Sequence, residues 1–277
     1  MMNNLLEINS ETEINKIVSF IRNTLQKQGF KNVVIGLSGG IDSATSLSLL
    51  AKSIDPKNIF AAHLHYFKSQ IDSLKKLLET TGIPKENVYN LSIKDPVDAL
   101  KNLLHLEGGR MDSFEVNRTR IGNIMARIRM IILYDLAKKH NALVCGTENK
   151  SEFLLGYFTR FGDEASDFEP IQHLYKTQVY QLAKYLDISK DIIDQAPTAG
   201  LWTAQTDEGD FGFSYKEADN VLYLYFERKN TTSEIISKGF PNAKKIIDRV
   251  KKNSFKHNLP FTPYHSPLDK QKKSVYA

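Results

Sequence analysis

The sequence predicts an α/β fold, a parallel sheet with helices on both faces. Three observations predict it. Short β-branched runs alternate with helical patterns along the first half of the chain. Two of those runs, ending near Gly36 and Gly146, stop at glycine and lead directly into polar, hydroxyl-rich turns. The first turn reads SGGIDS, Ser38–Ser43, and joins a strand to a helix. That places it at the carboxyl end of a parallel strand, where open α/β sheets bind ligands.

The elements follow in order. Residues 11–28 repeat apolar side chains at Ile14, Ile17, Val18, Phe20, Ile21 and Leu25, a helical spacing. Lys31–Leu37 is a buried strand, Asp42–Lys52 a helix, Ile59–His65 a second strand and Gln70–Thr80 a helix. Val88–Ile93 is a third strand, and Pro96–Leu104 a weaker helix. Arg118–His140 is a long helix with a stripe of Ile121, Ile124, Met125, Ile128, Ile132 and Leu136, and Ala142–Gly146 a fourth strand. Later, Lys176–Leu186 and Ser214–Glu227 read as helices, while Pro170, Pro197, Gly200 and Thr206–Gly212 read as breaks. One domain over residues 1–277 is expected, with a loosely packed tail from about 260.

Composition narrows the function classes. No apolar run approaches the roughly 20 residues that span a bilayer. The start, MMNNLLEINSETE, is too acidic and polar for a signal peptide. Cys145 is the sole cysteine, so no internal disulfide forms. A cytoplasmic protein fits these features. The formal net charge is +5, and residues 241–277 hold nine Lys/Arg against two Asp/Glu. No DNA- or RNA-binding motif accompanies this excess, so no nucleic acid is expected as partner; a phosphorylated small molecule or a solvated end accounts for it equally well.

The SGGIDS turn can be read on its own. Its glycines let backbone approach an anion, the following helix offers free N–H groups, and Ser38 and Ser43 add hydroxyls. It lacks the lysine of the common nucleoside-triphosphatase loop. Asp42 would repel a bare phosphate, but suits one bridged by Mg²⁺. A plain capped turn is the alternative.

The string resembles the signature loop of the N-type ATP pyrophosphatases, which cleave ATP between its α- and β-phosphates and adenylate a second substrate. Further runs narrow the resemblance. GNIMARIRMIILYDLA (Gly122–Ala137), GTENKSE (Gly146–Glu152), GYFTRFGDEASDFEPI (Gly156–Ile171), LYKTQVYQLAKYL (Leu174–Leu186), APTAGLW (Ala196–Trp202) and QTDE (Gln205–Glu208) follow in order. From about residue 12 to 260 the chain is similar to the ammonia-dependent NAD synthetases. The resemblance implies an adenine nucleotide alpha hydrolase-like, Rossmann-like three-layer fold. The reaction it implies is amidation of deamido-NAD with ATP and ammonia, through an acyl-adenylate.

It also implies site residues. Gly36, Leu37, Ser38, Gly39, Gly40, Ile41, Asp42 and Ser43, with Thr147, Lys176 and Thr198, would bind ATP. Asp42 and Glu152 would hold Mg²⁺. Arg127, Arg160, Asp167, Phe255 and Lys256 would contact deamido-NAD. Asp163, with Thr198, would hold ammonium or take its proton, and Lys176 would neutralise phosphate. Arg120, Asn123 and Arg127 share a helix face, with Arg120 read as solvated. Departures from the family pattern are Arg160 for lysine, GDEASD for GDGGAD, Phe255 for histidine, His257 for arginine, and Ala204 for glycine. His63–Asp72 matches the adenosine-side loop only loosely. The resemblance further implies a homodimer, for which Arg118–His140 and Tyr223–Phe226 offer surfaces. Two other readings stay open: a tRNA-modifying ATP pyrophosphatase, which the lone cysteine disfavours in its thiolating form, and a nucleotide-binding homologue without turnover.

Overall fold

The computed structural model describes residues 5–69, 71–106, 111–202 and 205–257. Ala204 and the tail expected to be loose lie outside them. In chain order the elements are α1 (Ser10–Gln28), β1 (Asn32–Gly36), α2 (Ile41–Ser53), β2 (Ile59–His65), α3 (Lys75–Thr81), β3 (Val88–Ser92), α4 (Lys94–Leu103), α5 (Met111–His140), β4 (Ala142–Cys145) and α6 (Lys150–Leu155). Then come α7 (Lys176–Tyr185), α8 (Lys190–Ile193), α9 (Asp207–Phe211), α10 (Tyr215–Phe226), α11 (Thr232–Ser237) and α12 (Ala243–Asn253).

The four strands pair in parallel, in the order β3-β2-β1-β4. Strand alternation sorts their side chains into two cores. Val33, Ile35, Ile59, Ala61 and Cys145 face a layer built from α1, α2 and α7. Val34, Ala62, Leu64 and Val144 face Val97 of α4 and Met125 and Leu136 of α5. This is the expected three-layer arrangement. Because chain order reverses across β1, the loops after β1 and β4 diverge and leave a crevice between them, the usual place for a ligand.

A third apolar cluster joins Leu154 and Leu155 of α6 to Phe211, Tyr215, Val221, Leu222, Ile235, Ile246 and Val250 of the C-terminal helices. It brings the late part of the chain against the β4 side of the crevice. Here the structure corrects the sequence reading. Thr206–Gly212 is not a break: Thr206 caps α9 by accepting from Gly209 N–H (3.2 Å), and Gly212 ends it with φ +70°. The basic segment 243–253 is an amphipathic helix with Ala243, Ile246, Ile247 and Val250 buried. α5 begins at Met111, seven residues before the expected Arg118.

Candidate active site

The β1 side is made by consecutive residues. Leu37 N–H continues the strand ladder to Ala62 O (2.8 Å), and Gly39 takes φ +95°, a turn that favours glycine. Ser38 Oγ accepts from Gly40 N–H (3.2 Å) and lies 3.1 Å from Ser43 Oγ, which donates to Gly40 O (3.0 Å). The two hydroxyls thus fix a turn that delivers the N-terminus of the 13-residue α2 to the crevice. Behind it, buried His63 sits 2.8 Å from the carbonyl of Leu37, so its Nδ1–H donates there. Burial holds this imidazole below its usual pKa. The residue of the loosely matching loop that touches the cradle therefore supports it from beneath.

The β4 side is assembled from distant segments. Asn149 and Glu152 form a reciprocal capping box that starts α6. Asn149 Nδ2 also donates to Asp42 Oδ1 (3.0 Å), tying the two rims together. Lys176, first residue of α7, sends its ammonium to Asp42 Oδ2 and to Glu152 Oε1 (3.2 Å). Its side chain is 3 % exposed, against 16 % for Asp42 and 17 % for Glu152. Burial alone would lower the lysine pKa; the two carboxylates outweigh it and hold Lys176 charged. Burial pushes the Glu152 pKa up, Lys176 pulling it back and Asp42 and Asp207 pushing further.

Asp207, a residue the sequence reading left without a role, belongs to this group. Its Oδ2 accepts from Tyr215 O–H (3.0 Å), whose oxygen also lies 3.5 Å from Glu152, and its Oδ1 is buried without a partner among the described residues. Asp42 and Glu152 thus share one lysine, Asp207 adds its charge from further off, and an acceptor oxygen is left over. Carboxylate oxygens suit a hard divalent cation such as Mg²⁺, but among the described residues no group of three or more His, Cys, Asp or Glu side chains is gathered that could hold one. Lys176 is bonded to the expected metal pair itself.

The remaining expected residues divide. Arg127 Nε donates to Arg160 O (3.2 Å), and the Arg160 guanidinium lies 5.3 Å from the centre of the Phe255 ring. Lys256 Nζ donates to Gly156 O (2.6 Å) and Phe158 O (2.7 Å), bracing the 156–163 loop. Asp163 Oδ1 accepts from Thr159 N–H (2.9 Å), while Thr159 O–H donates to Asn123 (2.9 Å). Crowding by protein atoms raises the Asp163 pKa against that amide bond, and the residue's solvent access limits the effect. Arg127, Arg160, Asp163, Phe255 and Lys256 are therefore brought to one loop. Asp167 accepts from Val144 N–H (2.7 Å) through Oδ2, so one of its oxygens serves the β4 edge. Thr147 is half-buried at the end of β4. Thr198 is on an exposed segment, accepting from Gly200 N–H (3.1 Å); no hydrogen bond among the described residues joins it to Asp163. Arg120 is exposed and bonds Asn117, matching the solvated reading.

Two glycines show how closely the loops approach. A Cβ on Gly146 would stand 1.7 Å from Glu169 Oε1, and one on Gly122 would stand 2.9 Å from Leu201 Cδ1. The Glu169 carboxylate accepts from Glu148 N–H (3.0 Å) and Ser166 O–H (2.8 Å), and burial raises its pKa to about 8.

A family model described as NAD synthase matches residues 13–260. The chain is 40 % identical over 260 residues to an NH(3)-dependent NAD(+) synthetase of Fusobacterium nucleatum, covering 93 % of this chain and 97 % of that one. It is also 40 % identical over 253 residues to a protein of the same name from Thermoplasma acidophilum, covering 90 % and 96 %. Among solved structures it is similar to an NMN synthetase from Francisella tularensis: 31 % identity, TM-score 0.77, 94 % of this chain and 100 % of that one. It is similar too to an NH3-dependent NAD synthetase from Campylobacter jejuni: 30 % identity, TM-score 0.73, 93 % and 100 %.

Proposed function

Since the chain belongs to the NAD synthase family, we propose that it amidates deamido-NAD to NAD with ATP and ammonia, releasing AMP and pyrophosphate. One observation carries the reading: Lys176 and Asn149 join the Gly36–Ser43 cradle to the carboxylates after β4. Such a site holds a polyphosphate at one rim and presents its α-phosphate to a second substrate at the other.

The substrate carboxylate attacks the α-phosphate in line, and pyrophosphate departs into the α2 N-terminus and the hydroxyls of Ser38 and Ser43. Lys176, bonded to Asp42 at the edge of that turn, would neutralise the charge that develops there. Asp42 and Glu152 would hold Mg²⁺, which supplies further neutralisation of the phosphate oxygens when bound. Arg127 and Arg160 suit the dinucleotide's phosphates, with Phe255 offering a flat apolar face. Ammonia then displaces AMP from the acyl-adenylate. Asp163, an acceptor on the facing loop, is placed in this reading to take the proton that the attacking nitrogen loses. Thr147 and Thr198 complete the ATP contacts, and Asp167 retains one oxygen for the substrate.

Among the described residues no helix is long and apolar enough to cross a membrane. A cytoplasmic homodimer, folded as one domain, completes the reading. Light scattering checks the dimer.

The test is incubation with ATP, Mg²⁺, deamido-NAD and ammonium, following NAD, AMP and pyrophosphate. Equimolar NAD and AMP are expected; no NAD at saturating ammonium sinks the reading. The similarity to an NMN synthetase supports one rival, the deamido mononucleotide, assayed in parallel. A higher kcat/KM for the mononucleotide would transfer the same chemistry to that substrate.

A further inference from the structure

Lys176 and Glu152 can act together only if α6 and α7 start in fixed relation, yet a 20-residue stretch without regular structure separates them. The first N–H groups of a helix lack intrahelical acceptors. Tyr175, at the N-cap of α7, provides no side-chain oxygen to them. Their acceptors come from elsewhere. Lys176 N–H donates to Ser151 Oγ (2.9 Å) and Thr177 N–H to Asp219 Oδ2 (2.8 Å). The Ser151 hydroxyl in turn donates to Asp219 Oδ1. One carboxylate of α10 therefore closes a chain running Lys176 amide, Ser151 hydroxyl, Asp219, Thr177 amide. Ser151 and Asp219 are fully buried and Lys176 nearly so.

Resting on the function proposed above, we infer that Asp219 is a positioning residue: through Ser151 and the first turn of α7 it sets Lys176 and Glu152 against Asp42. Three features support this. The chemistry calls for a carboxylate, which accepts on both oxygens; an asparagine in its place would present an NH₂ to one of two donors. Asp219 is buried with no ion pair among the described residues, and both of its oxygens are spent on accepting from Ser151 and Thr177, so its burial is compensated at this junction of α6 and α7. The anion also lies at a helix N-terminus, where the dipole favours it. Asp219 touches no substrate in this scheme. It acts through Ser151, the immediate neighbour of Glu152, and through the backbone of Lys176.

The test compares Asp219→Asn, Asp219→Ala and Ser151→Ala with wild type, in turnover and in binding of a non-cleavable ATP analogue with Mg²⁺. Misplacement of a reacting group by about 1 Å costs about 10²-fold in rate. Asp219→Asn is therefore expected to lose about tenfold or more in kcat/KM for ATP. Its KM for deamido-NAD and for ammonium should stay within about twofold, as for independent sites. Ser151→Ala, which keeps the Thr177 bond, should fall between; it preserves the test should Asp219→Ala fail to fold. In a Lys176→Gln background, the Asp219→Asn change should alter analogue affinity clearly less than it does in wild type, because the route through Lys176 is gone and only that through Ser151 and Glu152 remains. Multiplicative losses in that double variant, or a lowered melting temperature with unchanged ATP kinetics, would overturn the inference. The binding cycle needs no NAD formation, so it stands apart from failure of the functional reading, which wild-type turnover decides.

Discussion

The rims after β1 and β4 face the same crevice but are built in opposite ways. The first is local: Ser38, Gly40 and Ser43 bond one another and fix the turn that leads into α2. The second is non-local: Glu152, Lys176, Asp207 and Asp219 come from four helices and meet through side chains. A local site tolerates change in the scaffold around it. A non-local one is as accurate as the packing of every helix that supplies it.

The largest test of this contrast is Lys176→Met. Asp42 and Glu152 would lose their only ion-pair partner among the described residues, and breaking a buried pair from one side costs about 3–5 kcal/mol. Turnover should be lost. Mg²⁺ should raise the melting temperature of the variant more than that of wild type, since the carboxylates then lack their internal cation; an equal rise would contradict the assigned metal pair.

Next come two glycines, one per rim. Gly146→Ala sets a methyl against the Glu169 carboxylate and should destabilise by about 2 kcal/mol or more in urea unfolding. Gly40 has φ −82°, and its would-be Cβ comes no closer than 3.4 Å, to Ser38 Oγ. Gly40→Ala should therefore stay within about 0.5 kcal/mol. Comparable losses at both positions would erase the distinction between the rims.

A pH series separates them further. Glu169 has its pKa raised by burial from 4.5 to about 8. As pH rises, the unfolded chain releases this proton near 4.5 while the native chain keeps it to about 8. The native state thus binds more protons in that window, and stability falls across it, then levels. Glu169→Gln should flatten the fall in melting temperature between those limits; an unchanged slope would remove Glu169 as its source.

The smallest effect is expected where the second rim meets solvent. Exposed Phe255 faces Arg160, a contact worth about 0.5–1 kcal/mol. Phe255→Ala should raise KM for deamido-NAD by about two- to fivefold. A change in KM for ATP instead would assign Phe255 to the other substrate.

The same contrast explains what could be read from the chain. β-branched runs and a local glycine-serine turn carry their meaning in neighbouring letters, so the strands and the turn after β1 are legible. The resemblance supplied Lys176 and Glu152, whose pairing across 24 residues no local pattern encodes. Asp207 and Asp219 were missed because a buried aspartate in a helix reads like an exposed one. Asp207 lies within QTDE, but its segment looks like a break, since a five-residue helix containing Gly209 has too little periodicity. α12 did leave a signal: Ala243, Ile246, Ile247 and Val250 fall on one face, hidden among lysines that drew attention to charge. The capping box of Asn149 and Glu152 likewise announces α6 inside GTENKSE.

The end of α12 has a practical consequence. Asn253 packs on Gly156 and donates to Leu155 O (2.9 Å), while Lys256 holds the carbonyls of Gly156 and Phe158. Residues close to the C-terminal end of the described chain are thus stapled to the loop that carries Arg160 and Asp163. A change at Asn253 or Lys256 is therefore felt across about 100 residues of sequence, in the backbone of the 155–158 segment. The last helix thus works as a strut, holding a loop that the sequence places far from it.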